Sequence, residues 1–442
     1  MSSIPLLEAL KFWLKLGFIS FGGPAGQIAL MHRELVDRRR WISERRFLHA
    51  LNYCMLLPGP EAQQLATYLG WLMHRTWGGI LAGALFVLPS LVILIGLSAV
   101  YVAYGHLPVV AGVFFGIKPA VAAIVLHAVW RIGSRTLRHP RQAPALWAIA
   151  VASFVAIALL AIPFPWVIAS AALAGVLGAR RAPGQFAMSG GGHAASATSH
   201  GPALIDDDTP APDHARFSRR RLAIVVVVGL ALWLLPMALL VMAQGWQGTL
   251  TQMAWFFSKA AMLTFGGAYA VLPYVYQGAV EHHQWLSGAQ MMDGLALGET
   301  TPGPLIMVVA FVGFLGGWAR QVLGPDALFL GAALAACVVT WFTFLPSFIF
   351  ILAGGPLVES TRGQLRFTAP LTAITAAVVG VIASLGLVFL AHVGWGAAGL
   401  DFVALALTAL ALWALAGRAW NVVTVIAGCG AIGLGLRLTG LA

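Results

Sequence analysis

Apolar stretches of roughly 20 residues recur along the whole chain, and they restrict what it can fold into. As an α-helix, such a stretch crosses about 30 Å of hydrocarbon. Of the 442 residues, 60% are hydrophobic and only 9% are charged, against about a quarter charged in soluble domains. Membrane β-strands would show short alternating segments, which this sequence lacks. The sequence predicts an all-α polytopic membrane protein with about 10–13 membrane segments.

The net charge of +11 is unevenly distributed, because 20 of the 26 Lys and Arg residues fall at or before Arg221. They cluster between apolar stretches, as expected for a topology signal, and this argues against nucleic-acid binding. Lys11 and Lys15 interrupt the first apolar stretch, so we expect no cleavable leader.

Cofactor and energy-source signals are missing from the sequence. Cys54, Cys337 and Cys429 have no paired spacing and no neighbouring His cluster, so we predict no disulfide, metal or other cofactor. No G-x-x-x-x-G-K-[ST] motif is found, so ATP hydrolysis is not expected. An ion gradient would then supply the energy.

Residues 180–221 are rich in Gly, Ala, Ser, Pro and charge, and they predict a flexible linker. We expect its three histidines, His193, His200 and His214, to be solvated. Basic clusters at both ends indicate that the linker is cytoplasmic.

The two sides of this linker repeat one another. A shift of 244 residues places Phe21-Gly22-Gly23 on Phe265-Gly266-Gly267 and Pro58-Gly59-Pro60 on Pro302-Gly303-Pro304. After an insertion of 13 residues around Arg320 to Asp326, a shift of 257 places Leu88-Pro89-Ser90 on Leu345-Pro346-Ser347. Three tripeptides in the same order indicate an internal duplication, which is a common architecture of secondary transporters.

The charges of matching loops indicate that the two halves are inverted. The loop after Gly23 carries six arginines between Arg33 and Arg46, whereas no Lys or Arg lies between Lys259 and Arg320. The positive-inside rule therefore makes the first loop cytoplasmic and its copy external. The predicted units are an N-terminal repeat (1–179), the linker (180–221), an extra transmembrane helix (222–242) and a C-terminal repeat (243–442).

This arrangement requires two segments per repeat that enter and leave on the same side. We predict broken or re-entrant helices at 4–30, 47–73, 251–275 and 290–317, each with a Gly or Pro break near its middle. Simple crossings are the alternative for each segment.

The duplicated breaks are the predicted binding site. Broken helices survive in lipid only where they are buried or line a cavity, and a half-helix starting there directs free N–H groups at an anion. Kinks and close helix contacts are the alternative. The predicted substrate-binding residues are Lys15, Phe21, Gly22, Gly23, Pro24, Pro58, Gly59, Pro60, Gln63, Lys259, Phe265, Gly266, Gly267, Thr300, Thr301, Pro302, Gly303 and Pro304.

Ionisable residues inside apolar segments are costly and usually functional. Lys15 and Lys259 are repeat partners that could hold a divalent anion or extend toward lipid headgroups. Burial favours the neutral form of a carboxyl group, so Glu61 and Glu299 are predicted to couple protons, with charge balance against Arg75 or a lysine as the alternative. The further predicted buried charges are Arg75 and Lys118, whereas Arg38, Arg39 and Arg40 are expected to be a solvated topology signal.

Taken together, these motifs resemble the long, two-domain form of the chromate transporter family. The resemblance rests on Phe21-Gly22-Gly23-Pro24, Trp41-Ile42-Ser43, Pro58-Gly59-Pro60-Glu61-Ala62-Gln63-Gln64 and their second-half copies. It implies proton-driven efflux of chromate, in competition with sulfate, across the bacterial inner membrane, and chromate resistance.

Two alternatives remain open at this stage. The same architecture would serve an importer or exchanger of sulfate or another oxyanion. A membrane enzyme would need a nucleophile–base pair or metal ligands at one depth, which the sequence does not indicate. A homodimer is also left open.

Overall fold

The computed structural model describes residues 4–21, 23–186, 203–209, 212–360, 368–396 and 399–439. The predicted class is confirmed, since nearly all of these residues lie in helices. Five of the described helices are long and apolar enough to cross a membrane: Glu61–Tyr104, Pro108–Thr136, Arg219–Gln244, Pro325–Glu359 and Ala369–Gly394.

The first half begins with short helices and continues with long ones. Its elements are α1 (Leu6–Ile19), α2 (Gly23–His32), a π-helical turn (Arg33–Arg38), α3 (Glu44–Leu56), α4 (Glu61–Tyr104), α5 (Pro108–Thr136), α6 (Pro144–Ala158), α7 (Phe164–Arg181) and α8 (Pro183–Phe186). A backbone break at His74 and Arg75 divides α4, and Arg75 has a φ of 58°.

A single helix, α9 (Arg219–Gln244), joins the halves after a 3-10 turn (Asp213–Ala215). The second half contains α10 (Thr249–Leu263), α11 (Ala268–Tyr276), a π-helical turn (Gln277–His282), α12 (Gly288–Thr300), a 3-10 turn (Leu305–Met307), α13 (Val308–Ala319), a 3-10 turn (Pro325–Ala327), α14 (Leu328–Ser360), α15 (Thr368–Gly394), a two-residue hairpin (β1, Trp395–Gly396; β2, Gly399–Leu400), α16 (Phe402–Gly417) and α17 (Val422–Leu438).

The duplication extends to irregular details of the backbone. The two π-helical turns start at residues 33 and 277, and α3 and α12 start at residues 44 and 288, so both pairs are offset by 244. Arg40 and Gln284, also 244 apart, both adopt a left-handed conformation, with φ of 55° and 51°. Non-glycine residues rarely adopt this conformation, so its recurrence confirms that the halves share one fold.

The first two segments of the first half are hairpins that enter and leave on one side. At the base of the α1–α2 hairpin, Arg39 Nη1 lies 2.9 Å from Glu8 Oε1. The returning arm of the next hairpin ends nearby, where His74 Nε2 lies 2.9 Å from the carbonyl oxygen of Ile4. The predicted re-entrant segments are therefore present, and simple crossings are excluded for them.

The hairpins of the second half have their bases on the other side of the molecule. Just before α9, the His214 ring lies 2.9 Å from the Trp71 carbonyl, next to the hairpin bases of the first half. At the far end of α9, Gln244 Nε2 donates to the Val322 carbonyl at 3.0 Å, next to the end of α13. Because α9 is about 39 Å long, the bases lie on opposite sides and the repeat is inverted. We call these the basic side and the opposite side.

The long helices of the two halves interlock outside the hairpins. Helix α5 packs against α16 and α17, and α15 reciprocally packs against α6 and α7. Glycines allow this close approach: a Cβ at Gly116 would lie 1.9 Å from the Cys429 carbonyl, and one at Gly380 would lie 1.9 Å from the Ala150 carbonyl. Small residues at helix contacts are a usual way to pack helices in lipid.

The linker prediction needs a correction, since part of residues 180–221 is ordered against the basic side. Ile205 pairs with Ile42 in a β-bridge, and Ser43 Oγ donates to Asp207 Oδ1 at 2.6 Å. His214 packs its ring against Trp71 and is not simply solvated. Exposed backbone groups of the 40–43 loop explain this docking, which composition cannot reveal. His193 and His200 lie outside the described residues.

A methyl group added at the α5–α17 contact tests the interlocked packing. Gly116→Ala should lower the free energy of unfolding by at least about 1–3 kcal/mol, because its Cβ meets backbone atoms. The matched control is Gly428→Ala on α17, where a Cβ meets nothing within 4 Å. Thermal unfolding in detergent should show a lower Tm for the first variant alone, and equal Tm values would contradict the packing.

Candidate functional site

The hairpin tips of the two halves bond to each other through reciprocal backbone hydrogen bonds. Gly59 N donates to the Thr264 carbonyl at 2.7 Å, and Gly303 N donates to the Ser20 carbonyl at 2.9 Å. The residues match under the repeat, since 303 − 59 and 264 − 20 both equal 244. Each Pro-Gly-Pro turn therefore joins the Phe-Gly-Gly break of the other half. We call this meeting point the junction.

The junction lies at the middle of the two longest helices. A Cβ at Gly59 would lie 2.3 Å from Ser347 Oγ of α14, and one at Gly303 would lie 2.6 Å from Ser90 Cβ of α4. Both glycines also adopt positive φ, of 128° and 108°. Each position therefore requires glycine for two reasons: the positive φ and the close approach of a neighbouring serine. The duplicated Leu-Pro-Ser motif completes the junction.

Four half-helices begin at the junction, and three of them have amino ends without a side-chain cap. Side-chain caps are lacking at Pro60, before α4, at Gly267, before α11, and at Pro304, before the 3-10 turn of α13. The fourth, α2, begins at Gly23, which has a φ of 73°. Free N–H groups and positive dipole ends therefore converge between the two sides of the molecule.

Polar side chains line the junction mainly from the first half. Among the described residues, the atoms there that are buried without a hydrogen-bond partner are Ser20 Oγ, Gln27 Oε1, Gln63 Oε1, Gln64 Oε1 and Ser90 Oγ. The repeat partners of the three glutamines are the apolar Val271, Met307 and Val308. Buried polar groups are usually satisfied, so this one-sided set marks where a polar ligand would complete the bonding.

The glutamine amides also hold the tips together. Gln27 Nε2 donates to the Gly303 carbonyl at 2.6 Å, and Gln64 Nε2 donates to the Pro58 carbonyl at 2.8 Å. Gln63 Nε2 donates within its own helix to Thr67 Oγ1 at 3.0 Å. Each of the three glutamines therefore uses its amide nitrogen as a donor and leaves its amide oxygen without a hydrogen-bond partner.

Two carboxylates stand beside the tips. Glu61 is the first residue of α4 and is half-buried. Glu299, near the end of α12, is buried and accepts a hydrogen bond from the Tyr269 hydroxyl. Arg131 places its guanidinium 5.7 Å from the Tyr269 ring centroid, which adds a cation next to this pair.

The structure does not bring the predicted lysines to the junction. Lys15 and Lys259 are exposed on the outer faces of α1 and α10, and Lys259 Nζ lies 5.6 Å from the Trp255 ring centroid. Leu14 and Phe18 are exposed beside Lys15, which is typical of a lipid-facing surface. These positions favour extension toward headgroups.

Other predicted residues fall in varied surroundings. Arg75 is exposed at the α4 break, which corrects its prediction as buried. Thr300 and Thr301 donate their hydroxyl protons to carbonyls of α12, so they cap that helix. Phe21 is exposed, Gly23, Gly59, Pro60, Gly267, Pro302, Gly303 and Pro304 are buried, and Pro24, Pro58, Phe265 and Gly266 are half-buried. Gly22 lies outside the described residues.

The hairpin bases are held by equivalent ring stacks. On the basic side, the Arg39 guanidinium lies 4.8 Å from the Trp41 ring centroid and 5.2 Å from that of Phe12. The repeat partner of Arg39 is His283, which stacks on Trp285 at 4.4 Å. Arg39 is therefore a structural clamp, half-buried against these rings, which corrects its prediction as solvated.

These features define a class: a polytopic membrane protein whose inverted repeats each insert two helical hairpins, with the tips meeting around unpaired polar groups. Comparison with known proteins then identifies the family. A family model described as chromate transporter matches residues 7–176 and 251–434. The chain belongs to the chromate transporter family, and each half carries one match.

Named relatives cover most of the chain. It is 34% identical to a chromate transport protein of Pseudomonas aeruginosa, over 84% of this chain and 77% of that one. It is 28% identical to a chromate transport protein of Cupriavidus metallidurans, over 85% of this chain and 80% of that one. An uncharacterized transporter of Methanocaldococcus jannaschii is 24% identical, over 88% of this chain and 85% of that one. No solved structure matches.

Sequence reasoning missed several junction residues. Ser90 belongs to the duplicated Leu-Pro-Ser motif, so the repeat itself could have indicated it. Gln27, one helical turn after Gly23, could have been found as a polar residue on the arm of a predicted hairpin. Away from the junction, Asp293 is a buried acid inside the predicted re-entrant segment 290–317, so its place in that segment could have indicated it.

Glycine substitution at the junction tests the reciprocal bonding. Gly59→Ala should lower the Tm in detergent, because its Cβ would meet Ser347 Oγ and the Gln64 amide. Gly245→Ala is the control, since Gly245 also has a positive φ, of 72°, but a Cβ there meets nothing within 4 Å. Backbone strain alone would affect both variants equally, and that outcome would contradict the junction contact.

The His283 stack predicts a pH dependence on the opposite side. Burial and the nearby charges of His282, Lys259 and Arg320 lower the pKa of His283 to about 4. The unfolded chain, with an ordinary pKa near 6.5, then binds more protons between about pH 4 and 6.5, so stability falls as pH falls through this window. His283→Phe should remove part of this fall in Tm, and an unchanged pH profile would contradict the assignment.

Proposed function

We propose that this protein exports chromate from the bacterial cytoplasm across the inner membrane, driven by the proton motive force. Substrate would bind at the junction and gain access to each side in turn. The observation that carries the proposal is the pair of Ser20 and Ser90 hydroxyls, which are buried without a hydrogen-bond partner where the hairpin tips of two inverted repeats meet. Family membership and the named chromate relatives support the choice of anion.

An oxyanion suits the chemistry of the junction. The Ser20 and Ser90 hydroxyls can donate, and the uncapped amino end of α4 supplies N–H groups next to Gln63. Neutral donors and helix dipoles bind a dianion without the dehydration cost of a buried lysine. The absence of Lys15 and Lys259 from the junction is therefore compatible with anion binding.

The orientation that we propose places the basic side in the cytoplasm. The basic side carries Arg33, Arg38 and Arg45 at exposed positions, which the positive-inside rule makes cytoplasmic. The docked linker segment 203–209 would then face the cytoplasm. Glu61 and Glu299 are the proposed proton-coupling groups, because both carboxylates lie at the tips and each belongs to a different half.

Alternating access has a structural basis in the pseudo-symmetry. The first-half hairpins open toward the basic side and the second-half hairpins toward the opposite side, with equivalent contacts at the tips. Exchanging the conformations of the two halves would move the opening from one side to the other. The interlocked α5 and α15 would serve as the scaffold against which the hairpins move.

Transport in inside-out membrane vesicles tests the proposal. Vesicles containing the protein should accumulate radioactive chromate when a proton gradient is imposed, and excess sulfate should reduce the rate. Loss of uptake on adding a protonophore is expected, with vesicles lacking the protein as the control. Gradient-dependent sulfate movement without chromate movement would instead establish a sulfate transporter, and no movement of either anion would contradict the proposal.

Removal of one unpaired junction hydroxyl tests the binding site. Ser90→Ala should reduce kcat/KM for chromate about 10- to 100-fold, since a hydrogen bond donated to a charged group contributes about 1.5–3 kcal/mol. Lys15→Gln is the control and should stay within about twofold, because Lys15 is exposed on the outer face. Normal transport by Ser90→Ala, or loss in Lys15→Gln, would contradict this site.

A further inference from the structure

A second buried carboxylate lies on the same helix as Glu299. Asp293 is five residues after the start of α12 on the opposite side, and its side chain is 5% exposed. Glu299 follows six residues later, about 9 Å further along the helix axis toward the junction. The helix α12 thus carries one acid near its outer end and one at the junction.

Three elements from both halves build the surroundings of Asp293. The Tyr101 hydroxyl of α4 donates to Asp293 Oδ2 at 2.8 Å, and Lys118 Nζ of α5 lies 3.9 Å from Asp293 Oδ1. Oδ1 has no hydrogen-bond partner among the described residues. Tyr101 is fixed by edge contacts to Phe114 and Phe311, with centroids 5.2 and 5.3 Å away.

The electrostatics of this group favour reversible proton uptake. An ionised carboxylate buried at this position loses its hydration. It gains in return only one hydrogen bond and one ammonium group that lies beyond hydrogen-bond distance, which compensate this loss poorly. The open Oδ1 is available for the proton, and Lys118, whose side chain is 32% exposed, stays solvated as the neutral acid forms. The step is Asp293 carboxylate plus a hydronium proton, giving the carboxylic acid and water.

The remaining neighbours of α12 supply few competing charges. Helix α13 contains no titratable side chain, and on α15 His392 lies beside Gly288 at the start of α12. On α17, Cys429 and Arg437 lie against Gly116 and Gly112 of α5. Tyr101 and Lys118 are therefore the groups that face Asp293 directly.

The residue that corresponds to Asp293 in the first half is not an acid. The first-half partner of Asp293 is His49 (293 − 244), and the partners of Tyr101 and Lys118 are Val358 (101 + 257) and Thr375 (118 + 257). His49 Nε2 lies 3.4 Å from the Val358 carbonyl, so the same helices touch without an acid–tyrosine–lysine group. The group of Asp293, Tyr101 and Lys118 therefore occurs at only one of the two equivalent positions of the repeat.

We propose that Asp293 is a proton-binding site on the opposite side, and that it passes protons toward Glu299 at the junction. This role rests on the proposed proton-driven transport and adds the route by which protons enter. With the basic side cytoplasmic, Asp293 faces the side from which the proton motive force delivers protons. Tyr101 positions the carboxylate, and Lys118 keeps it ionised until a proton arrives.

Reconstituted vesicles separate proton coupling from anion movement. Asp293→Asn should reduce the rate of gradient-driven chromate uptake at least 10-fold. A pH dye inside the vesicles should record no chromate-dependent proton movement for this variant. Chromate counterflow without a gradient should stay within about twofold of the original protein. Asp326→Asn is the control, since Asp326 is an exposed acid on the same side and should change neither assay.

The outcomes distinguish the possible failures. Gradient-driven uptake and proton movement retained in Asp293→Asn would overturn the proton role, as would equal loss of uptake and counterflow in a variant with unchanged Tm. If Asp293→Asn unfolds, Asp293→Glu is the second variant, and it should restore proton movement with a shifted pH profile. No chromate counterflow in the unsubstituted protein would instead overturn the proposed function itself.

Discussion

Two backbone hydrogen bonds, from Gly59 to Thr264 and from Gly303 to Ser20, determine the rest of the structure. A helix broken inside a membrane exposes backbone groups that lipid cannot satisfy, and each such group costs several kcal/mol. Inverted duplication solves this problem for both halves, because each Pro-Gly-Pro turn donates to the break of the other half. The price is a crowded junction at which only glycine fits, with Ser347 and Ser90 against the two turns.

The near-symmetry of the backbone contrasts with the asymmetry of its side chains. The π-helical turns, left-handed residues and tip bonds repeat at an offset of 244. The first half contributes Gln27, Gln63 and Gln64 to the junction, where the second half has Val271, Met307 and Val308. Glu299 and Asp293, in turn, correspond to Met55 and His49. One half thus provides polar binding groups and the other provides most of the acids, so substrate and protons can occupy different surfaces of one junction.

Much of the fold could be predicted from the sequence because its determinants are local. Glycine and proline mark the tips, arginine counts indicate the inversion, and both signals agree with the hairpins observed. Spacing along α1 does not reveal which face meets the protein: Lys15, predicted to bind the anion, lies away from the junction on an exposed face with Leu14 and Phe18. The docking of residues 203–209 depends on open backbone groups of a distant loop, and the Asp293 group joins α12 to two helices of the other half. Neither contact has a local signature.

The central claim is that the junction is the transported anion's binding site, exposed to each side in turn. Cysteine at Ser90, in a chain with Cys54, Cys337 and Cys429 replaced, tests it most directly. A membrane-impermeant thiol reagent should modify this cysteine when added from either side, and chromate should slow the modification from both sides. Modification from only one side, or the same rate with and without chromate, would contradict the claim.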